Sequence, residues 1–270
     1  MMPGFTWEAQ AMAVTNFDAG RRFGGVARLY GEAALQRFAA SHVCVVGIGG
    51  VGSWAAEALA RSAVGRITLI DLDHIAESNT NRQIHALEGE FGRAKTESMA
   101  ARIQAINPAC AVTAIEEFVS ADNVASLLPP CDAVLDAIDN VRAKAALLAQ
   151  CKRAGVTVVT TGGAGGRRDP TRIVVADLSR TVQDALASKL RARLRKDYGY
   201  SRDPKRKFGI DCVFSTEPLS RPVTGAACAI DARGPQGLNC AGYGSAVTVT
   251  ACFGLVAAAR VLDALARERV

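Results

Sequence analysis

The chain has 270 residues, 49% of them apolar and 21% charged, with a formal net charge of +6. That composition excludes a disordered or fibrous chain and suits a soluble globular protein with one sizeable core. Its eight cysteines (44, 110, 131, 151, 212, 228, 240 and 252) form no CxxC pair and only three histidines accompany them, so no zinc is expected.

Residues 1–20 lack a cationic start and a continuous apolar run, so they read as a flexible leader rather than a signal peptide. The scattered cysteines then read as reduced thiols, and the expected location is cytoplasmic. Residues 21–270 read as a single domain. Strands are predicted at 43–48, 66–71, 111–116, 132–136, 156–160, 172–177 and 210–215. Helices are predicted at 51–63, 94–106, 121–128, 140–154, 182–197 and 244–266. This alternation of apolar runs and turn signals predicts an α/β fold of Rossmann-like type, a doubly wound, mostly parallel sheet with a C-terminal extension and a long crossover loop. Asn107-Pro108 stops the helix at 94–106, and Leu186, Leu190 and Leu194 form the apolar stripe of 182–197. Residues 198–209 and 216–243 are rich in Gly, Pro and polar groups and read as long mobile loops. The apolar run 244–259 spans 16 residues with three hydroxyl side chains. A membrane-spanning helix needs about 20 apolar residues, so the run reads as a buried core helix and no stable membrane insertion is expected.

The chemistry is concentrated at strand ends. Gly47, Gly49, Gly50 and Gly52 follow the first strand, where glycine lets the backbone turn tightly and approach a phosphate at a helix N-terminus. Asp71 and Asp73 end the second strand, Asp71 lying 24 residues after Gly47, at the spacing of a ribose-binding acid. Those features alone fit a nicotinamide- or flavin-dependent oxidoreductase. The residues that follow do not: Asn79, Asn81, Arg82 and Gln83, then Lys95, then Asp139 and Asn140, bring cations, amides and a carboxylate to the same crevice. Arginine and lysine offset charge developing on a phosphate, and a carboxylate holds Mg²⁺, so ATP is the expected ligand.

With Gly92–Lys95, Asn107-Pro108 and Asp136-Ala-Ile-Asp139-Asn140, this set resembles the adenylating domain of the ubiquitin-activating-enzyme-like superfamily, which includes molybdopterin- and thiamine-pathway enzymes. Residues 22–31, Thr160–Gly166, 211–217 and Ala227-Cys228 resemble, more narrowly, the dehydratases of that superfamily that act on threonylcarbamoyladenosine in tRNA. The resemblance runs from about Arg21 to Ala266. It implies ATP-dependent activation of a carboxylate followed by ring closure with loss of water, and a homodimer. It also implies Asp71 as the ribose ligand, Asn79, Arg82 and Lys95 as phosphate groups, Asp139 as the Mg²⁺ ligand, and Arg22 or Arg28 as an arginine supplied across the dimer. The alternative is an adenylating enzyme for a sulfur-carrier or modifier protein. There Cys228 would accept sulfur or an acyl group, with a cysteine desulfurase as partner; otherwise Cys228 is an idle loop cysteine. A sulfur-relay scaffold without chemistry of its own is a further alternative.

Two features remain. Residues 189–207 hold Lys189, Arg191, Arg193, Arg195, Lys196, Arg202, Lys205, Arg206 and Lys207 against Asp197 and Asp203, a net +7 that accounts for the whole excess charge. With Tyr198, Tyr200 and Phe208 beside it, this strip reads as a tRNA-binding surface whose aromatics stack on unpaired bases. Gly162–Gly166 either cradles substrate, lends carbonyls to a monovalent cation, or forms a tight turn.

Overall fold

The computed structural model describes residues 17–220 and 243–267, and among them seven strands form one sheet. Six run parallel: β1 (His42–Val46), β2 (Arg66–Ile70), β3 (Ala111–Ile115), β4 (Ala133–Asp136), β5 (Thr157–Thr161) and β7 (Asp211–Ser215). The remaining strand, β6 (Ile173–Asp177), pairs antiparallel with β7 at one edge. The spatial order is β3-β2-β1-β4-β5-β7-β6. Chain order therefore reverses between β1 and β4, and a crevice opens at their carboxyl ends, where α/β sheets bind ligands.

Both faces of the sheet are covered. Val43 and Val45 of β1 face one core, packed by α2 (Glu32–Ala40), α3 (Gly52–Arg61), α4 (Lys95–Ile106) and α8 (Val247–Ala266). Cys44 and Val46 face the other, packed by α5 (Val124–Leu127), α6 (Val141–Ala154) and α7 (Ala185–Asp197). The alternation follows from the two-residue period of a strand. The seven strands and six helices predicted from periodicity are all present, with ends shifted by a few residues; 121–128 shrinks to the single turn of α5.

Two helices are additional to that prediction: α1 (Ala19–Tyr30) and α2. Gly20, Gly24 and Gly25 dilute the helical signal of α1, and glycine costs a helix about 1 kcal/mol per residue relative to alanine. The Asp18 carboxylate caps the helix by accepting the Arg21 N–H at 3.0 Å, and Phe23 buries against the body. Helix α1 thus starts within the stretch read as a leader; residues 1–16 lie outside the described residues.

Helix α8 is long and apolar enough by composition to cross a membrane. Its Val249, Phe253, Ala257, Ala258, Val261 and Leu262 are instead buried in the first core. Arg37 of α2 donates to the Ala266 carbonyl and ties down its C-terminal end.

The reading of 198–209 as a mobile loop is corrected. Tyr200 and Phe208 are buried and meet edge to face at 4.9 Å between ring centroids. Asp177 accepts the N–H groups of Phe208 and Gly209 at 3.0 and 2.7 Å. These contacts pin both ends of the segment. Of 216–243, residues 221–242 lie outside the described residues, and with them Cys228.

Gly254 of α8 sits where an added Cβ would collide with the Val51 carbonyl at the start of α3. Gly254→Ala should therefore force the two helices apart and lower stability by about 1–3 kcal/mol, the range for overpacking. The urea unfolding midpoint measures it.

Candidate functional site

The crevice between β1 and β4 continues into a cavity of about 1030 Å³. Its floor is the turn after β1. Gly47 takes φ +87°, in the left-handed region, and a Cβ there would lie 2.9 Å from the Ala137 carbonyl group, so only glycine lets β1 and the end of β4 approach this closely. Gly52 has the same constraint, since its Cβ would collide with the Gly47 carbonyl oxygen. Gly47, Gly49 and Gly50 line the cavity, while Gly52 is buried at the start of α3.

Asp71 closes one side. Its carboxylate accepts the Ile48 N–H at 2.6 Å and the Asp73 N–H at 2.8 Å, which fixes it beside the glycine turn. Burial pushes its pKa up, opposed by the Lys95 cation and these two hydrogen bonds. Lys95, nearly buried at the start of α4, pairs with the half-exposed Asp73 at 2.7 Å.

The polar loop behind the second strand supplies the next wall. Asn79 is buried and its amide oxygen accepts the Ala76 N–H at 3.0 Å, so one face of this side chain is used to hold the loop. Arg82 donates to the Ser78 carbonyl at 2.8 Å and to Asn81 Oδ1 at 2.9 Å, and its own carbonyl accepts the Trp54 indole N–H at 2.9 Å. Burial pulls the guanidinium pKa down. Asn81 in turn donates to the Ser245 carbonyl at 2.8 Å, joining the loop to the start of α8. Gln83 is buried and also lines the cavity.

Opposite stands the end of β4. Asp139 is exposed, lines the cavity, and among the described residues makes no hydrogen bond or ion pair. Mg²⁺ is commonly held by one or two carboxylates together with substrate phosphates, so an exposed carboxylate lining the same cavity as Gly47, Gly49 and Gly50 fits that group. Among the described residues no cluster of three or more acidic, histidine or cysteine side chains is poised to hold a metal by itself. Asn140 caps α6 by accepting the N–H groups of Arg142 and Ala143 at 2.9 and 3.2 Å, so its role here is to set the helix that follows Asp139.

Beneath this loop lies a pair that sequence reasoning missed. Lys144 Nζ sits 2.9 Å from Asp136 Oδ2, and both side chains are fully buried. Lys144 also donates to the Ile138 carbonyl at 2.9 Å, while Asp136 accepts the Thr160 hydroxyl at 2.6 Å and the Ile138 N–H at 3.1 Å. The signal was a lone lysine inside the apolar run of α6. A second missed hub is Arg167, whose guanidinium donates to the Gly163 carbonyl at 3.1 Å, the Gln183 carbonyl at 2.7 Å and the Glu217 carbonyl, 3.7 Å from Asp184. Asp184 accepts the Gly163 N–H and caps α7 through the Ala187 N–H. Within Gly162–Gly166, the Gly163 carbonyl is taken by Arg167 and the Gly166 carbonyl by the Ser220 N–H, contacts that favour the tight-turn reading.

The basic strip divides. Lys189 and Arg193, one turn apart on α7, line the same cavity, as does Tyr198. Arg191, Arg195, Lys196, Arg202, Lys205, Arg206 and Lys207 lie outside its lining. Arg191 bonds the Thr181 hydroxyl and Arg195 the Ser201 carbonyl, with Arg195 also stacked on Phe208. The expectation that Tyr200 and Phe208 stack on bases is corrected, because both rings are buried in the second core. Arg22 and Arg28 sit on α1, away from this cavity; Arg22 donates to the Ile106 carbonyl at 2.7 Å. Cys212 is buried in the second core. Burial pushes the thiols of Cys110 and Cys131 up to about 11 and that of Cys151 to about 12, which keeps them protonated and poorly nucleophilic.

The ThiF family matches residues 24–269. The chain is 57% identical over 257 residues to a tRNA threonylcarbamoyladenosine dehydratase of Escherichia coli strain K12, covering 93% of this chain and 96% of the relative. It is 40% identical over 188 residues to one from Bacillus subtilis strain 168, covering 69% and 71%. The fold is similar to that of the Escherichia coli dehydratase crystallised with ATP, at a TM-score of 0.83, 53% identity, and coverage of 94% of this chain and 97% of that one. The same enzyme crystallised with AMP gives a TM-score of 0.84.

Breaking the buried pair should be costly. Lys144→Met leaves Asp136 as an uncompensated buried charge and should cost about 3–5 kcal/mol, whereas Lys144→Met with Asp136→Leu should recover most of it. Urea unfolding of the two variants checks the difference.

Proposed function

The chain belongs to the ThiF family, and from that premise we propose that it is an ATP-dependent enzyme that cyclises threonylcarbamoyladenosine in tRNA with loss of water. The observation that carries this reading is one cavity lined by two groups of cationic side chains. Arg82 and Lys95 flank the glycine turn on one side, and Lys189 and Arg193 approach from α7 on the other. A triphosphate and an RNA backbone are both polyanions, and this crevice offers cations to each.

The chemistry follows from the inertness of a carboxylate. Its oxygen leaves badly and its charge repels a nucleophile. When that oxygen attacks the α-phosphate of ATP, pyrophosphate leaves and the carboxylate becomes an acyl adenylate. A nucleophile in the same side chain then attacks the acyl carbon, AMP departs with the former carboxylate oxygen, and the nucleophile's proton passes to solvent. The nucleoside has lost the atoms of one water. Because the attack is intramolecular, its effective concentration is high, and no protein nucleophile is required.

The roles are assigned on this reading. Asp71, held by the Ile48 and Asp73 N–H groups, binds the ribose. Arg82, Lys95, Asn79 and Gln83 bind phosphate oxygens, and the glycine turn at the start of α3 offers backbone N–H groups. Asp139 would hold Mg²⁺, which supplies charge neutralisation on the phosphates. Lys189 and Arg193 hold the RNA beside the reacting nucleoside, with Lys196, Arg202, Lys205, Arg206 and Lys207 extending the surface. Arg22 and Arg28, carried by α1 away from this chain's own crevice, suit delivery to the crevice of a second copy, so a homodimer is part of the proposal. A cytoplasmic site of action fits a tRNA substrate. The second reading, a sulfur-carrier activator using Cys228, has no use for cations on α7, which favours the first.

Incubating the protein with ATP, Mg²⁺ and tRNA carrying threonylcarbamoyladenosine should yield a nucleoside lighter by one water, read by mass spectrometry. An unchanged nucleoside would overturn the proposal. Arg82→Ala and Asp139→Asn should each cut turnover by about 100-fold or more, the scale of losing one transition-state contact. Reversing Lys189 and Arg193 to glutamate should weaken tRNA binding and flatten its salt dependence while leaving ATP affinity unchanged.

A further inference from the structure

His85 stands outside every role assigned so far, yet it is buried within reach of a phosphate-binding side chain. His85 is 2% exposed, and its Nε2 lies 3.1 Å from Oε1 of Gln83, itself 6% exposed. The other ring nitrogen, Nδ1, is buried without a hydrogen-bond partner among the described residues. Burial, reinforced by the Lys95 cation, lowers the imidazole pKa to about 4, so the ring is neutral at neutral pH and carries one proton.

The position of that proton decides which way Gln83 points. If Nδ1 carried it, a buried N–H would face no acceptor, an arrangement that folded proteins avoid more strictly than an unused lone pair. Nε2 would then be an acceptor and would take a hydrogen from the Gln83 amide, turning the amide oxygen toward the glycine turn and any phosphate there. If Nε2 carries the proton, it donates to Gln83 Oε1, and the NH₂ group is left to face the cavity. The nitrogen end does lie toward the turn, since a Cβ added to Gly49 would be 3.9 Å from Gln83 Nε2. The Gln83 backbone is independently fixed by its own N–H to the Asn79 carbonyl at 2.9 Å. Only the side-chain amide is free to flip, and a flip exchanges a donor for an acceptor.

We propose that His85 is a positioning residue that holds the Gln83 amide in one orientation, with its two N–H groups offered to a phosphate oxygen of the bound nucleotide. The nucleotide itself rests on the functional reading above; the tautomer does not. A neutral histidine suits this task, because a ring whose far nitrogen is a buried lone pair has one donor to give and gives it to Gln83.

Two measurements test the two halves. In the full chain with ¹⁵N-labelled histidine, the His85 signals (assigned against His42→Gln and His74→Gln variants) should show the proton on Nε2 and a bare Nδ1. A proton on Nδ1 overturns the proposal whether or not ATP binds. In kinetics, His85→Leu should raise the KM for ATP about fivefold, with a smaller change in kcat, as expected for lost binding. Gln83→Ala should do at least as much, and the double variant should be no worse than Gln83→Ala, because His85 acts through Gln83. Additive losses would overturn the proposal, as would His85→Leu with an unchanged KM in a folded protein. His85→Gln, which restores an N–H donor, should recover most of the loss. If ATP does not bind at all, the functional reading fails while the tautomer result still stands.

Discussion

An ammonium group with no access to solvent holds the centre of this molecule together. Lys144 reaches back from α6 to the carboxylate and carbonyl groups that end β4, and Asp136 is held in turn by Thr160 of β5. An ion pair so deeply buried gives little net stability, because desolvating both charges offsets their attraction. What it does give is position. Three separate pieces of chain, the end of β4, the first turns of α6 and the end of β5, are fixed relative to one another by groups that tolerate no other arrangement. The Gly47 turn is packed on the same strand end through Ala137. Asp139 is three residues beyond Asp136, so the exposed carboxylate stands on a base that cannot shift without stranding a charge.

The same division between buried ions that position and ions that line the cavity recurs on the other side of the crevice. Arg167 and Asp184 are both almost wholly buried, and between them they gather the turn after β5, the start of α7 and the chain leaving β7. Their partners are mostly backbone groups, which makes them a splint rather than a ligand site. Lys189 and Arg193 project from the helix so anchored and line the cavity, Arg193 paired with Asp197 one turn on. Lys95 is intermediate: nearly buried, tied to Asp73, and still lining the cavity.

The sheet was legible in the sequence because its strands are buried on both faces and read as short apolar runs bounded by turns. The glycine turn, Asp71, Arg82, Lys95 and Asp139 were legible because strand ends in such a sheet point to one crevice. Lys144 and Arg167 were not. A charged residue is read as solvated unless its burial is known, and burial is a property of the packed whole. Tyr200 and Phe208 failed in the opposite direction: their basic neighbours suggested a wet surface, yet both rings fill the second core and Arg195 lies across one of them. Helix α1 was hidden by its glycines, whose low propensity is overridden by a cap and a single buried phenylalanine.

Helix α7 shows why these two kinds of charge must be kept apart. Ala187, Leu190 and Leu194 bury one face in the second core, while Lys189 and Arg193, displaced from Leu190 and Leu194 by about a third of a turn, line the cavity with Leu186. The rotation of the helix about its axis therefore sets where the cations stand. That rotation is fixed at the N-terminus, where Asp184 is the cap and Gln183 is held at φ +54° with its carbonyl turned to Arg167. A left-handed conformation at a residue with a side chain costs about 1–2 kcal/mol, and it persists only where surrounding contacts insist on it. Here the insistence comes from Arg167, which also holds the carbonyl of Gly163 in the cavity lining. One buried guanidinium thus sets the distance between the glycine turn after β5 and the cations of α7. A polyanion that must present a single nucleoside to a bound nucleotide needs that distance to be constant.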